Sequence, residues 1–263
     1  MSANIVHGGF MKFNTSYILK IFASFLLITN CFTSKADDAE SCEDRLMQMQ
    51  IDEQQYKIPE IILGNKNAKY ALIVYSSFTC DHCRQFHQKE LKNFIEQYVD
   101  TGKVKLILRY YVDDGASFDA SVFVIYFSKG DHKLAFYLME KIFDQQKNWR
   151  KAKDQPMFIK KLIATEMHKI HPNVSIEEYI QQAEKILDML QEPGKSIGAS
   201  LMLSLQQTEK MRITSMPCMI FTDKINSQKP LTKEQHHEGS LSPNKIWKKL
   251  IKVRSTKSLP NTE

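Results

Sequence analysis

The spacing of apolar residues changes period several times along the chain. Tyr70-Ala-Leu-Ile-Val-Tyr75 is an unbroken apolar and aromatic run, which predicts a strand buried on both faces. Beyond residue 83, Leu91, Phe94, Ile95, Tyr98 and Val99 recur at helical spacing, and Gly102 is placed as a stop. Val104-Lys-Leu-Ile-Leu-Arg-Tyr-Tyr-Val112 predicts a second strand. Strand, helix and strand in close succession make a crossover unit, expected to be right-handed. Ahead of it, Ile58-Pro59-Glu60-Ile61-Ile62-Leu63 reads as an edge strand with Pro59 confined to its start, and Gly64-Asn65 and Asn67-Ala68 mark a turn.

From Asp113 to about Lys210 the pattern is helical. Apolar spacing and breakers predict helices over 117–129, 132–147, 156–169, 175–191 and 194–209, punctuated by Gly130, His171-Pro172 and Pro193-Gly194. Met216-Pro-Cys-Met-Ile-Phe-Thr222 returns to strand character. A polar turn at Asp223–Pro230 and a short strand ending near Glu238-Gly239 follow. Ser242-Pro243 then starts a last helix carrying Ile246, Trp247, Leu250 and Ile251. The layout is α/β: a βαβ unit and a ββα unit, built from residues 59–112 and 210–255, with residues 113–209 as a helical insertion. A polar, Gln-rich segment over 37–58 precedes them.

Of the 263 residues, 43% are hydrophobic and 25% charged, which excludes collagen-like and broadly disordered chains. The net charge of +6 arises from 36 basic and 30 acidic residues without a dense Lys/Arg block, so charge does not point to a nucleic-acid partner. Met11-Lys12 opens a secretory signal: Lys12 and Lys20, the apolar run Ile21–Ile28, and Ser34-Lys35-Ala36 with small residues at the cleavage positions. Residues 1–36 are therefore expected to be a signal peptide and the mature protein to be periplasmic. The rival readings are a single membrane anchor, for which the run is short of about 20 residues, and lipidation at Cys31, where Asn30 is a poor neighbour. Cleavage leaves Cys42, Cys80, Cys83 and Cys218, an even number in an oxidising compartment.

Cys80-Asp81-His82-Cys83 lies between a predicted strand and a predicted helix. Two cysteines three apart at a helix start can close into a disulfide and reopen with little backbone movement. The first meets unpaired N–H groups and the positive end of the helix dipole, which favour its thiolate. Cys80 is thus the exchanging sulfur and Cys83 the resolving one. His82, protonated or donating, is expected to stabilise the Cys80 thiolate, and the Asp81 carboxylate to oppose it. A stabilised thiolate makes the disulfide more oxidising. A zinc site completed by His168 and His171 and a purely structural disulfide are the alternatives. The spacing fits no compact zinc module, and so short a loop constrains the unfolded chain little.

These residues resemble the DsbA-type thiol–disulfide oxidoreductases of the thioredoxin fold. The resemblance rests on Tyr75-Ser-Ser-Phe-Thr-Cys-Asp-His-Cys83, Arg109-Tyr-Tyr-Val112, Phe143–Trp149, Ile213-Thr-Ser-Met-Pro217 and Gly239, and covers about residues 59–252. It implies a thioredoxin fold with a large inserted helical domain, and a cis Pro217 facing the cysteines. It also implies a Met216 backbone that pairs with an extended substrate peptide. No cofactor is implied, because the cysteines carry the electrons. The implied partners are exported cysteine-containing proteins and a DsbB-like membrane oxidase that restores the disulfide. Three departures stand out: Asp81 where strong oxidants often carry Pro, Val74 where many relatives bury an acid, and Cys218 directly after Pro217. Cys218 has three readings: a buried inert thiol, a partner for Cys42, or a thiol exchanging with Cys80. The function expected is disulfide introduction into exported proteins. The alternatives are a disulfide isomerase or reductase, the former aided by self-association of residues 40–56, and a peptide-binding chaperone.

Overall fold

A computed structural model of the chain describes residues 56–186, 197–221 and 232–257. The expected signal peptide (residues 1–36), most of the polar segment 37–58, Cys42, Pro193-Gly194 and the expected turn over 223–230 lie outside the described residues.

Five strands form one mixed sheet: β1 (Glu60–Leu63), β2 (Tyr70–Ser76), β3 (Val104–Tyr110), β4 (Cys218–Ile220) and β5 (His236–Glu238), in the order β1-β3-β2-β4-β5. The β2–β3 pair is parallel, Tyr70 opposite Val104 through Ser76 opposite Tyr110, and the other three pairs are antiparallel. β2 is central, and Ala71 through Ser76 are all buried, as its unbroken apolar run predicts. On one face Ile73, Tyr75, Ile107, Cys218 and Ile220 pack with Met211 and Ile213. By strand alternation, Leu72, Val74, Leu106, Leu108 and Met219 line the other, and all are buried.

The crossover helix α1 runs from residue 81 to 99 in four continuous pieces: Asp81–Gln85, Phe86–Leu91, Lys92–Phe94 and Ile95–Val99. It departs from the regular amphipathic helix that the sequence predicts, because Phe86–Leu91 and Ile95–Val99 are π-helical. At its end the Asp100 N–H reaches five residues back to the Ile95 carbonyl, 2.9 Å away. Wider turns let Cys83, Phe86, His87, Leu91, Phe94, Tyr98 and Val99 all be buried. The last helix, α8 (Pro243–Lys257), packs beside α1. Tyr98 stacks on Trp247 at 4.9 Å, and Trp247 meets Tyr70 of β2 edge-on at 5.0 Å.

The turn after β1 requires glycine. Gly64 has φ +87°, and a Cβ there would lie 2.7 Å from both the Val104 carbonyl oxygen and Val99 Cγ1.

Between β3 and β4 the described residues form α2 (Gly115–Ser128), α3 (His132–Asp144), α4 (Gln146–Trp149), α5 (Gln155–Ile170), α6 (Ile176–Glu184) and α7 (Ile197–Lys210). Aspartates cap the first helices: Asp114 accepts from the Ser117 N–H, Asp131 from Lys133 and Leu134, and Asp154 from Met157. The single helix expected over 132–147 is instead broken at Gln145 (φ −96°, ψ 5°), where the indole N–H of buried Trp149 donates to the Ile142 carbonyl at 3.0 Å. The strand expected over 216–222 is shortened to Cys218–Ile220, since Pro217 has no N–H for a ladder. Among the described residues no helix is long and apolar enough to cross a membrane.

Candidate active site

Cys80 is the N-cap of α1. Its backbone is extended (φ −77°, ψ 118°), and its Sγ accepts from the Cys83 N–H at 3.2 Å. The thiol is pulled down to about 6. The hydrogen bond from the Cys83 thiol is the largest cause. Burial opposes it, and the backbone N–H groups of Cys83 and His82 add to it. Cys83 is fully buried, and its thiol is pushed well above the ordinary range, first by burial and then by its hydrogen bond to Cys80 and the charge there. One sulfur is therefore a thiolate at neutral pH and the other a thiol. Both are free.

Two expectations about neighbours are corrected. His82 acts on Cys80 through its backbone N–H, while its side chain is exposed. The carboxylate that raises Cys80 is Asp113, not Asp81; Asp81 is largely exposed and paired with Arg84 at 3.4 Å.

The structure brings Met216 and Pro217 to Cys80. The Met216–Pro217 peptide bond is cis, and the Met216 carbonyl oxygen lies 3.6 Å from Cys80 Sγ. The segment is tied down from β5, where the Glu238 carboxylate accepts from the Thr214 N–H at 2.7 Å and hydroxyl at 3.0 Å. The Gly239 N–H donates to the Pro217 carbonyl at 2.7 Å. Cys218 points into the apolar cluster under Tyr75, and burial pushes its thiol up to about 12. This supports the inert reading, since a thiol so raised is scarcely nucleophilic at neutral pH. His168 Nδ1–H donates to the Val174 carbonyl oxygen, 2.7 Å away, closing the turn between α5 and α6.

The insertion supplies residues that the sequence reading missed. Gln146, fully buried, donates through Nε2 to the carbonyls of Phe78 (2.6 Å) and Cys80 (3.0 Å) and accepts from Arg84 Nε at 3.1 Å. Arg150 donates to the Thr79 carbonyl at 2.7 Å. From the other side Asp113 accepts from Ser77 Oγ at 2.5 Å and Thr79 Oγ1 at 2.9 Å. Ser117 Oγ accepts from the Phe78 N–H at 3.3 Å. Three successive carbonyls leading into Cys80 are thus held by α4 and the residue after it. The only signal in the sequence was the resemblance of Phe143–Trp149 to a family segment.

A family model described as thioredoxin matches residues 57–237. Among curated proteins, a Rickettsia bellii protein named "Putative protein-disulfide oxidoreductase" is 31% identical over 96 residues, covering 36% of this chain and 36% of that protein. The match thus spans about a third of that relative's length. Among solved structures, alpha-DsbA1 of Wolbachia pipientis aligns with TM-score 0.54 and 21% identity, covering 78% of this chain and 98% of that one. Oxidised BdbD of Bacillus subtilis aligns with TM-score 0.50 and 18% identity, covering 77% of this chain and 96% of that one. The family model covers more than half of the chain, the two solved structures share its fold, and the chain belongs to the thioredoxin family.

Proposed function

We propose that the protein is an exported thiol–disulfide oxidoreductase that introduces disulfide bonds into other exported proteins through Cys80–Cys83. The asymmetry of the two sulfurs carries this reading: a thiolate favoured at Cys80 stabilises the reduced enzyme, so its disulfide readily gives up its oxidising equivalents. A substrate thiolate attacks Cys80 Sγ of the disulfide, the sulfur–sulfur bond breaks, and Cys83 leaves. The substrate's second thiolate then attacks the mixed disulfide, which releases an oxidised substrate and a reduced enzyme. The backbone beside Cys80 at Met216 supports docking of an extended cysteine-containing peptide as an added strand. Reoxidation calls for a DsbB-like membrane oxidase. No cofactor enters the cycle.

The test is the equilibrium potential of Cys80–Cys83 against a glutathione series. A disulfide more oxidising than the glutathione couple is the expected result. One well below that couple would overturn the oxidase reading and make the protein a reductase.

A further inference from the structure

Exchange at Cys80–Cys83 requires a proton to reach or leave Cys83 each time that sulfur is released or attacks, and Cys83 is sealed from water. The family position for a buried acid on β2 is Val74, which is fully buried and cannot carry a proton. A different set of side chains converges on Cys83. The Ser76 hydroxyl faces the Cys83 thiol and favours its ionised form. Ser76 Oγ lies 3.1 Å from His87 Nε2, and His87 Nδ1 lies 2.6 Å from Glu140 Oε1. His87 is completely buried, one turn beyond Cys83 on α1, with its ring 4.2 Å from that of Phe143. Glu140 comes from α3 in the insertion. Its Oε2 is buried without a hydrogen-bond partner, and the half-exposed Lys92 ammonium stands 4.0 Å away.

We propose that Ser76, His87 and Glu140 form a proton relay that serves Cys83. A carboxylate only accepts, so His87 carries its proton on Nδ1, towards Glu140, and offers the Nε2 lone pair to the Ser76 hydroxyl. When Cys83 attacks a mixed disulfide at Cys80, its S–H proton passes to Ser76 Oγ while the Ser76 proton passes to His87 Nε2. The imidazolium then rests against the Glu140 carboxylate. The Cys83–Cys80 bond forms, the bond to the external sulfur breaks, and that sulfur leaves as a thiolate. In the opposite direction Cys83 leaves as a thiolate and the same chain returns the proton. Ser76 is the member next to the reacting sulfur; His87 and Glu140 act through it. The groups facing His87 are Glu140 from α3, Ser76 from β2, and Cys83 on its own helix, with Lys92 beyond Glu140.

The inference rests on exchange at Cys80–Cys83 in either direction. The test mixes the reduced full-length protein with oxidised glutathione and follows two steps: formation of the Cys80–glutathione mixed disulfide, then its closure by Cys83. His87→Gln keeps a polar, hydrogen-bonding side chain but has no ring nitrogen to take up a proton, and Ser76→Ala removes a single hydroxyl. Each is expected to slow closure by about a hundredfold at neutral pH, as loss of a general base does, while leaving the rate of mixed-disulfide formation unchanged. The double variant should be no slower than either single one, because a chain broken once carries nothing. The deficit should shrink as pH rises and a growing fraction of Cys83 is already ionised before closure, so that the step no longer waits on the relay. Closure at the wild-type rate in both variants, multiplying effects, or a deficit equal at all pH values would overturn the relay. If the wild-type protein forms no mixed disulfide at all, the exchange reading falls with it; if it forms and closes normally in the variants, only the relay falls.

Discussion

At Cys80, burial favours the thiol while hydrogen bonds from the Cys83 thiol and from two backbone N–H groups favour the thiolate, and the hydrogen bonds win. The rate of Cys80 alkylation by iodoacetamide should therefore rise with pH along a curve centred at about 6. Cys83→Ala removes the largest of these contributions and should move the midpoint upwards; a wild-type midpoint near 9, the ordinary cysteine value, would contradict the assignment of Cys80 as the thiolate. The pair itself was legible in the sequence because its chemistry depends on residues three apart at a helix start. Met216 and Pro217 were legible only through the family resemblance. Gln146, Arg150 and Asp113 were not legible: an ordinary amide, guanidinium or carboxylate has no spacing signature, and tertiary packing alone carries Gln146 to the carbonyl of Phe78, 68 residues away. The effect expected of the His82 ring was assigned to the wrong atoms, since the cap geometry delivers its backbone N–H to the sulfur instead.

At the scale of elements, strands and helices were legible wherever an apolar run ended at a recognisable breaker. β2, β3 and α5 lie within a residue or two of their expected bounds. The π-turns of α1 were not legible, because five apolar positions fit a period of 3.6 or a slightly longer one equally well. They matter, since His87 is buried within one of them. The capping aspartates tie the insertion to the site: Asp114 holds the Ser117 N–H at 2.7 Å, and Ser117 in turn holds the Phe78 N–H. Asp114→Ala should cost about 1 kcal/mol of stability, whereas Asp114→Asn, which can still cap, should cost much less. Denaturant unfolding of the two variants distinguishes them, and equal losses would show that the cap contributes nothing.

For the whole molecule, the thiol couple links redox state to stability. Cys80 is depressed from 9.0 to about 6 in the folded reduced protein, so its ionisation stabilises that fold fully above pH 9 and ceases to do so as pH falls through about 6. The oxidised protein has no such thiolate. The melting temperature of the reduced form should therefore gain on that of the oxidised form as pH rises from 6 to 9. Above pH 9 the raised Cys83 works in reverse, because the unfolded chain ionises it and the folded chain does not. Cys218 is present in both forms and cancels. Melting curves of the two forms across this range provide the check, and a constant gap would contradict the linkage. The chain also holds two tryptophans, one in each part of this architecture. Trp149 is sealed inside the helical insertion with its indole N–H bonded to a carbonyl, and Trp247 is stacked on Tyr98 beside the sheet. Intrinsic fluorescence thus reads two different places at once: emission from a single-tryptophan variant would show whether the helices and the sheet melt together or one before the other.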